Sequence, residues 1–412
     1  VGGTEIYTLT LAQELSRRGH KVFVFHRGEC ATPRQSKIAW EERDGFKVCR
    51  ISRAFDVKSA HAFALFLDTF FNPDVERAFW RFLDQARPEV VHFQHVMALS
   101  YHLIALAKRR GMPALLTLHD YWFLCANSQL IWPNGRVCQG KAWGLNCARC
   151  ALARVKSPLV EPLRPVLAPA FQLRDALVRQ AARHADCLIA PSHFLIQQYI
   201  QAGFPSQRFT YLENGIDIER MRRYPRQPSA DGRVRFTYLG SLAWQKGVHV
   251  LVEAFRGIPA EKAVLQIYGD PTVFPDYAAH LQGIADPSNT FFKGAVPNEE
   301  VGRVLAETDV VAVPSLWYEN SPLAIQEAFA AGVPVIASRI GALTEKVHAG
   351  IDGFLCSPGN ARDWHETLLE IAAHPEQLVG FRARLLQPMG VRQHVDSLER
   401  IYLLTMQPGG CH

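Results

Sequence analysis

Residues 318–338 read YENSPLAIQEAFAAGVPVIAS, and this stretch decides the fold. Ser321 and Pro322 make a helix start, because proline's fixed φ suits the first turn and its missing N–H would have no partner there. A β-branched run, VPVIAS from Val333, follows the helix, and another, VVAVPS from Val310, precedes it. Strand, helix and strand in close succession are the unit of a parallel sheet wound by crossover helices.

The same alternation extends outward in both directions. Towards the C-terminus lies GFLCSP from Gly353; towards the N-terminus lie TFFKG from Thr290, AVLQIYGD from Ala263 and RFTYLGS from Arg235. Before these, ERMRRYPRQPSADGR at 219–233 is polar, basic and broken by Pro and Gly, the composition of a linker. Ahead of it a first series of strands is expected at KVFVFH from Lys21, FKVCRI from Phe46, VVHFQH from Val90, ALLTLHD from Ala114, CLIAPS from Cys187 and FTYLEN from Phe209. A helix is expected from Thr4 to Arg18, with Ile6, Leu9, Ala12 and Leu15 on one face and Gly19 ending it. The expected fold is therefore α/β, with doubly wound domains at 1–218 and 234–412 joined by residues 219–233. Ligands of such folds sit at the carboxyl ends of the strands.

Composition agrees with that division. A chain of 412 residues exceeds one compact core and suits two domains. Hydrophobic residues make up 48% and charged residues 20%, which excludes a disordered chain. The formal net charge of +6 favours anionic partners such as diphosphates, and no basic repeat interleaved with aromatics points to nucleic acid. No apolar run is long enough to span a membrane. Nine cysteines at irregular spacing argue against a secreted disulfide framework, so a cytoplasmic location is expected.

The candidate chemistry lies in the opening stretch. Glu319 falls just before the helix, and Glu327, seven residues further on, falls roughly two turns inside it. The amides of Asn320, Ser321 and Leu323 then point out of the helix start, where they favour a phosphate. A carboxylate facing that site can grip a ribose diol with both oxygens. The same pattern is also compatible with a capped amphipathic helix carrying two surface glutamates.

The stretch resembles the E-x7-E signature of family-4 retaining glycosyltransferases and its EA-x-AAG-x-PV-x-AS continuation. Further matches follow in family order: GGTE at Gly2, HD at His119 and Asp120, ENGID at Glu213–Asp217, GSLAWQKG at Gly240–Gly247, YGD ending at Asp270 and IGALTEKVHAGIDGFL from Ile340. The resemblance implies a GT-B fold, two Rossmann-like domains facing a central cleft, with the last helix crossing back to the first domain. It implies transfer of a sugar from a nucleoside-diphosphate sugar to a hydroxyl acceptor, a glycan or lipid-linked glycan, with retention of configuration and without a divalent metal at the chemistry. Glu327 would hold the donor's ribose, and Glu319 would lie beside the transferred sugar. The amides of Asn320, Ser321 and Leu323 would meet sugar hydroxyls and the distal phosphate. Lys246 would neutralise the diphosphate, Gly2 and Gly3 would let backbone approach it, and His119 would contact the sugar or its developing charge.

The sequence departs from the family pattern in three places. Ser241 stands where an arginine beside the diphosphate is usual, and Ala342 where a second glycine is usual. The strand normally ahead of the Gly-Gly loop is absent, so an N-terminal truncation is expected, leaving two strand edges of the first sheet exposed or forced together. Poor solubility or weak activity would follow. Two alternatives stay open: a GT-B epimerase or phosphorylase, and a catalytically inactive, metal-stabilised binding protein.

Between the fourth and fifth strands of the first domain, Cys125, Cys138, Cys147 and Cys150 fall in an insertion at 125–150 that ends in C-x2-C. Four such thiols suit a structural zinc, with an iron–sulfur cluster as the second choice and unliganded thiols as the plain one. Lys141, Arg149, Arg154, Lys156, Arg164, Arg174, Arg179 and Arg183 stand against Glu161 and Asp175 across the following stretch. That stretch reads either as a peripheral membrane or lipid-acceptor surface, or as a solvated helix face.

Overall fold

The computed structural model describes residues 3–28, 37–52, 66–155 and 162–407. Its second half holds one parallel sheet built from β8 (Val234–Leu239), β9 (Ala263–Tyr268), β10 (Thr290–Gly294), β11 (Val310–Val313), β12 (Val335–Ser338) and β13 (Gly353–Cys356). The order is β10-β9-β8-β11-β12-β13, so the winding reverses between β8 and β11. That reversal opens a crevice at the strand ends. β11 and β12 are buried at every residue, as strands covered by helices on both faces must be.

Among the described residues, the first half contains seven strands in two groups. β1 (Phe23–Gly28), β2 (Lys37–Arg43) and β3 (Phe46–Ser52) form a sheet of order β1-β3-β2. β4 (Val91–Phe93), β5 (Ala114–Thr117), β6 (Cys187–Ala190) and β7 (Phe209–Tyr211) form a second, all parallel, of order β4-β5-β6-β7. Among the described residues the two groups are not hydrogen-bonded to each other. β2 was not anticipated. It pairs antiparallel with β3 through Asp44 and Gly45, whose φ of 52° and 81° make the tight turn that matches strand twist. The Asp44-Gly45 pair was the available signal.

The helix Gly3–Arg17 starts one residue earlier than its pattern predicts, and Gly19 follows at φ 91°. The last helix, Val391–Met406, packs against it. Arg18 joins them, with Nη1 2.7 Å from Asp396 and 2.9 Å from Glu399, and the Tyr7 hydroxyl lies 2.8 Å from His394 Nε2.

The basic stretch at 219–233 is less free than a linker composition suggests. Asp217 caps a short helix at Ile218–Met221. Beyond it Arg222 Nε donates to the Ala330 carbonyl at 2.8 Å, and the Gln227 amide donates to Ala306. Arg226, Arg235 and Arg382 converge on the buried Asp309. Arginine's several donors find carbonyls and one carboxylate here, so its charge straps the segment to the second sheet's helices instead of solvating it.

Among the described residues, no helix is long and apolar enough to cross a membrane.

Candidate active site

The site begins with a tight turn. Trp244–Lys246 forms one turn of 3₁₀ helix, and Gly247 follows at φ 69°. A Cβ at Gly247 would lie 1.9 Å from the Pro314 carbonyl oxygen, so only glycine lets these two loops touch. The Leu316 amide then donates to the Gln245 carbonyl at 2.9 Å. These contacts place Lys246 beside the segment that leads into the helix Leu323–Ala330.

Glu319 is 6% exposed, and its Oε1 accepts three hydrogen bonds. Lys246 Nζ lies at 2.7 Å, Ser315 Oγ at 2.7 Å and Trp317 Nε1 at 2.9 Å. The Lys246 ammonium also stands 5.4 Å from the centre of the Trp317 ring. A carboxylate buried this far needs such partners. Ser315 and Trp317 were not singled out from sequence, although Ser315 sits four residues before Glu319.

Asn320 and Ser321 complete the approach to the helix. Asn320 Nδ2 donates to the His119 carbonyl, which ties the second half to the first across 201 positions of sequence. Asn320 Oδ1 and Ser321 Oγ are buried without a hydrogen-bond partner. Leu323 opens the helix, and a Cβ on Gly3 would meet Leu323 Cδ1 at 3.6 Å, so the first helix begins beside the start of the helix Leu323–Ala330. Gly2 lies outside the described residues.

Glu327 stands inside the helix, with Arg220 Nη2 3.5 Å from its Oε1. Burial raises its carboxyl above the ordinary range, and Arg220 opposes that only in part. Arg220 was read as linker; Asp217, capping its helix, was the sequence signal that fixes it. Next to Glu327, Gln326 Nε2 donates to the Asn214 carbonyl at 2.9 Å, anchoring the helix to the ENGID loop.

His119 follows the end of β5 by two residues and is half-buried. Its Nε2 lies 2.8 Å from Gln94 Oε1 and its ring packs 4.9 Å from Tyr7. Burial, reinforced by nearby His95, pushes its pKa down to about 3, so the ring is neutral at physiological pH. It can donate or accept a hydrogen bond, but it brings no positive charge to a developing anion. The neighbouring His95 differs: burial opposes its charge, but Asp120 at 2.7 Å outweighs that and raises its pKa.

Ser241 is exposed on the Lys246 loop, with its carbonyl accepting from the Tyr238 hydroxyl at 2.7 Å and from the Ala243 amide at 2.9 Å. Ala342 needs no glycine: its φ is −65°. Gly341 does, at φ 54°, because a Cβ would press within 3.1 Å of Tyr318. The next helix, Leu343–Lys346, reaches the first half: Glu345 accepts from the amides of His193 (2.9 Å) and Phe194, and Lys346 pairs with Glu213. Direct contacts thus join Lys246 to Glu319, Asn320 to the His119 carbonyl, and Gly3 to Leu323.

Sequence profiles match this architecture in two blocks. One described as Glycosyltransferase Family 4 covers residues 1–220, and one described as Glycosyl transferases group 1 covers 221–384. The chain belongs to the family-4 glycosyltransferases. A glycogen synthase of Mycobacterium tuberculosis is 28% identical over 324 residues, 77% of this chain and 69% of that one. Sucrose-phosphate synthase of Thermosynechococcus elongatus superposes with a TM-score of 0.68 at 19% identity, covering 98% of this glycosyltransferase and 93% of that chain. Anabaena HepE in complex with UDP gives 0.64 at 16% identity, covering 97% and 95%. These similarities establish a GT-B fold of two Rossmann-like units. The relatives matched by sequence align over 38% to 69% of their own lengths.

The metal expected at the cysteine insertion of this glycosyltransferase is not supported by the arrangement of its side chains. Among the described residues, no group of three His, Cys, Asp or Glu side chains is placed to hold an ion. Cys138 Sγ instead meets the Gly140 carbonyl at 3.6 Å. Burial first, then the negative charge of Asp175, pushes the Cys147 thiol up to about 12, so it keeps its proton. The insertion has another position of interest: a Cβ on Gly135 would lie 2.4 Å from Trp244 Nε1, so its hairpin reaches the Lys246 loop.

The basic stretch is partly structural too. Arg174 is fully buried, donating to the Trp122 carbonyl at 2.6 Å and to Asp175 at 3.0 Å, and Lys141 reaches the same Asp175. Lys156 and Glu161 lie outside the described residues, and so does the side chain of Arg154.

Proposed function

We propose that the chain transfers a sugar from a nucleoside-diphosphate sugar to a hydroxyl acceptor, a glycan or lipid-linked glycan, with retention of anomeric configuration. One observation carries this reading: Lys246, held by Glu319, stands beside a helix start whose Asn320 Oδ1 and Ser321 Oγ are buried and unpartnered. An ammonium has three protons, and Glu319 takes one, leaving others for a diphosphate oxygen. The helix amides add partial positive charge at the same place. Charge then builds on the departing diphosphate where fixed donors already wait, which is where electrostatic stabilisation is most effective. No divalent cation is required in this scheme. The unpartnered Asn and Ser oxygens suit sugar hydroxyls, and Glu327 suits the ribose diol.

His119 contributes a neutral ring and, through its carbonyl and Asn320, a tie that keeps the cleft closed over the donor. No covalent nucleophile is assigned; the leaving phosphate is the base nearest the acceptor hydroxyl in a same-face reaction.

Thermal-shift measurements against UDP-, GDP- and ADP-sugars test donor binding, since a bound donor raises apparent stability by mass action. Radiolabelled transfer to acceptor, abolished in Glu319→Ala, tests catalysis, and NMR of the product's anomeric proton tests retention. Donor turnover that yields an epimer or depends on inorganic phosphate would overturn the transferase reading in favour of the related activities.

A lipid-linked acceptor is favoured by the surface next to the insertion. Trp143, Val166 and Leu173 are 86%, 72% and 61% exposed; Val166 and Leu173 are seven residues apart on the helix Arg164–Ala182, and Gln172 of the same helix donates to the Trp143 carbonyl. Peripheral contact with a bilayer through this surface is tested by co-sedimentation with anionic liposomes. Unchanged binding in Val166→Asp/Leu173→Asp would remove the surface from the reading.

A further inference from the structure

The loop that carries Lys246 touches the first half of the chain, and the cysteine insertion is what it touches. β8, β11 and β12 are successive neighbours in the second sheet, and the segment leaving the carboxyl end of each one reaches across. After β11, Asn320 donates to the His119 carbonyl. After β12, Glu345 accepts from the amides of His193 and Phe194. After β8, Trp244 meets Gly135 of the insertion.

The hairpin that presents Gly135 is short and tied at several points. Ile131 and Val137 pair antiparallel, the Trp132 amide donates to the Arg136 carbonyl at 2.7 Å, and the Gly135 amide returns to the Trp132 carbonyl at 2.9 Å. Asn134 Oδ1 accepts from the Arg136 amide at 3.2 Å. The Arg149 guanidinium, from the helix Leu145–Val155, stands 5.7 Å from the centre of the Trp132 ring. Gly135 takes φ 82°, and a Cβ there would lie 2.4 Å from Trp244 Nε1 and 2.9 Å from its Cδ1. The backbone of the tip therefore rests directly on the edge of the indole.

Trp244 is fixed from its own half as well. Its ring stacks on His249 with centroids 3.9 Å apart and planes 16° apart, and His249 Nδ1 lies 2.9 Å from the Tyr277 hydroxyl. Held between the hairpin and His249, the indole stands two residues ahead of Lys246 on the same 3₁₀ turn. Close-packed groups yield little, so a shift at one end of this pile is passed to the other.

We propose that the insertion's hairpin is a positioning element of the sugar-transfer site: Gly135, bearing on Trp244, sets the place of Lys246. The chemistry in this assignment rests on the transferase reading, whereas the contact stands apart from it. Neither Gly135 nor Trp244 need touch a substrate; both act through the lysine. A displacement of about 1 Å at a catalytic group can cost about 10²-fold in rate, so a loosened Lys246 loop should be felt in turnover before it is felt in donor binding.

The test compares the parent chain with Gly135→Ala, Lys246→Ala and the double variant, using whichever of UDP-glucose, GDP-mannose and ADP-glucose the parent turns over. Gly135→Ala should lower kcat on the order of ten- to a hundredfold, with the donor KM within about threefold. Added to Lys246→Ala, it should cost less than about twofold, because a group that acts through the lysine has nothing left to position. Amide exchange needs no donor: residues 241–247 should exchange faster in Gly135→Ala, while β5 and β12 keep their rates. Trp244→Leu removes the contact without straining the hairpin and should give the same two results. Unchanged exchange at 241–247, or the full loss repeated on top of Lys246→Ala, would overturn the assignment. Faster exchange in a chain whose parent transfers no sugar would support the contact and count against the transferase reading alone.

Discussion

Lys246 Nζ and Glu319 Oε1 lie 2.7 Å apart, although 73 residues separate them in the chain. Glu319 is buried and held by two further donors, so the lysine is presented at a fixed place rather than solvated on its loop. Replacing Lys246 by Ala should lower kcat by about 10²–10³-fold, the loss seen when one preorganised donor to a developing anion is removed. Circular dichroism and donor thermal shifts should show that the fold persists, since Ser315 and Trp317 still satisfy Glu319. A kcat within a few-fold of the parent chain would remove Lys246 from the leaving-group site.

Glu327 acts on a different quantity. A hydrogen bond to a charged group contributes about 1.5–3 kcal/mol, so Glu327→Ala should raise the donor KM on the order of ten- to a hundredfold with a smaller change in kcat. The raised carboxyl pKa adds a pH signature: donor binding should tighten as pH rises through the carboxyl's titration and the group ionises. Steady-state kinetics over a pH series check both, and an equal fall in kcat and kcat/KM would place Glu327 in the chemistry instead.

Stability should fall in acid through buried neutral histidines. Burial first, then the charge of His394, pushes His92 from 6.5 down to about 3. Its ring nitrogens are occupied by Tyr402 and Thr117 at 2.8 and 2.7 Å. The unfolded chain takes a proton below the ordinary value while the folded chain does not, so the contribution is complete above that value and shrinks as pH drops towards the folded one. Urea midpoints should decline across this window, and His92→Gln should flatten the decline while lowering the midpoint at neutral pH. An unchanged slope in the variant would assign the acid sensitivity elsewhere.

Glu345 joins the halves by accepting from the amides that open the helix His193–Gln201. Ser192 caps the same helix through the Leu195 amide, so Glu345→Ala should cost little stability, about 1 kcal/mol or less. Its larger effect should be on closure: a greater radius of gyration by small-angle X-ray scattering without donor, recovering when donor binds, and a raised donor KM. A scattering profile identical to the parent's would show that the contact does not govern closure.

Much of the fold was legible because its signals are local. Twelve of the thirteen strands match β-branched or aromatic runs read directly from the chain, and the remaining one, β2, was marked by Asp44-Gly45. The candidate site was legible where spacing along one helix fixes position, as for Glu319 and Glu327. Arg220 escaped because its stretch is punctuated by Pro and Gly: the Asp217 cap marks the short helix that carries it, but not the distant Glu327 that it meets. Arg174 misled for a related reason: nothing in its neighbours announces that it is buried on Trp122.

The sequence by itself determined the α/β winding, the glycine that lets the Lys246 loop turn, and the helix start beside Glu319, since each depends on the backbone preferences of adjacent residues. Tertiary structure alone decided which distant groups meet: Lys246 with Glu319, Asn320 with His119, and Gly135 with Trp244. Those outcomes depend on burial and charge at contacts between segments far apart in the chain, where the cost of an unsatisfied buried group selects the partner. A pattern of neighbours does not contain that quantity.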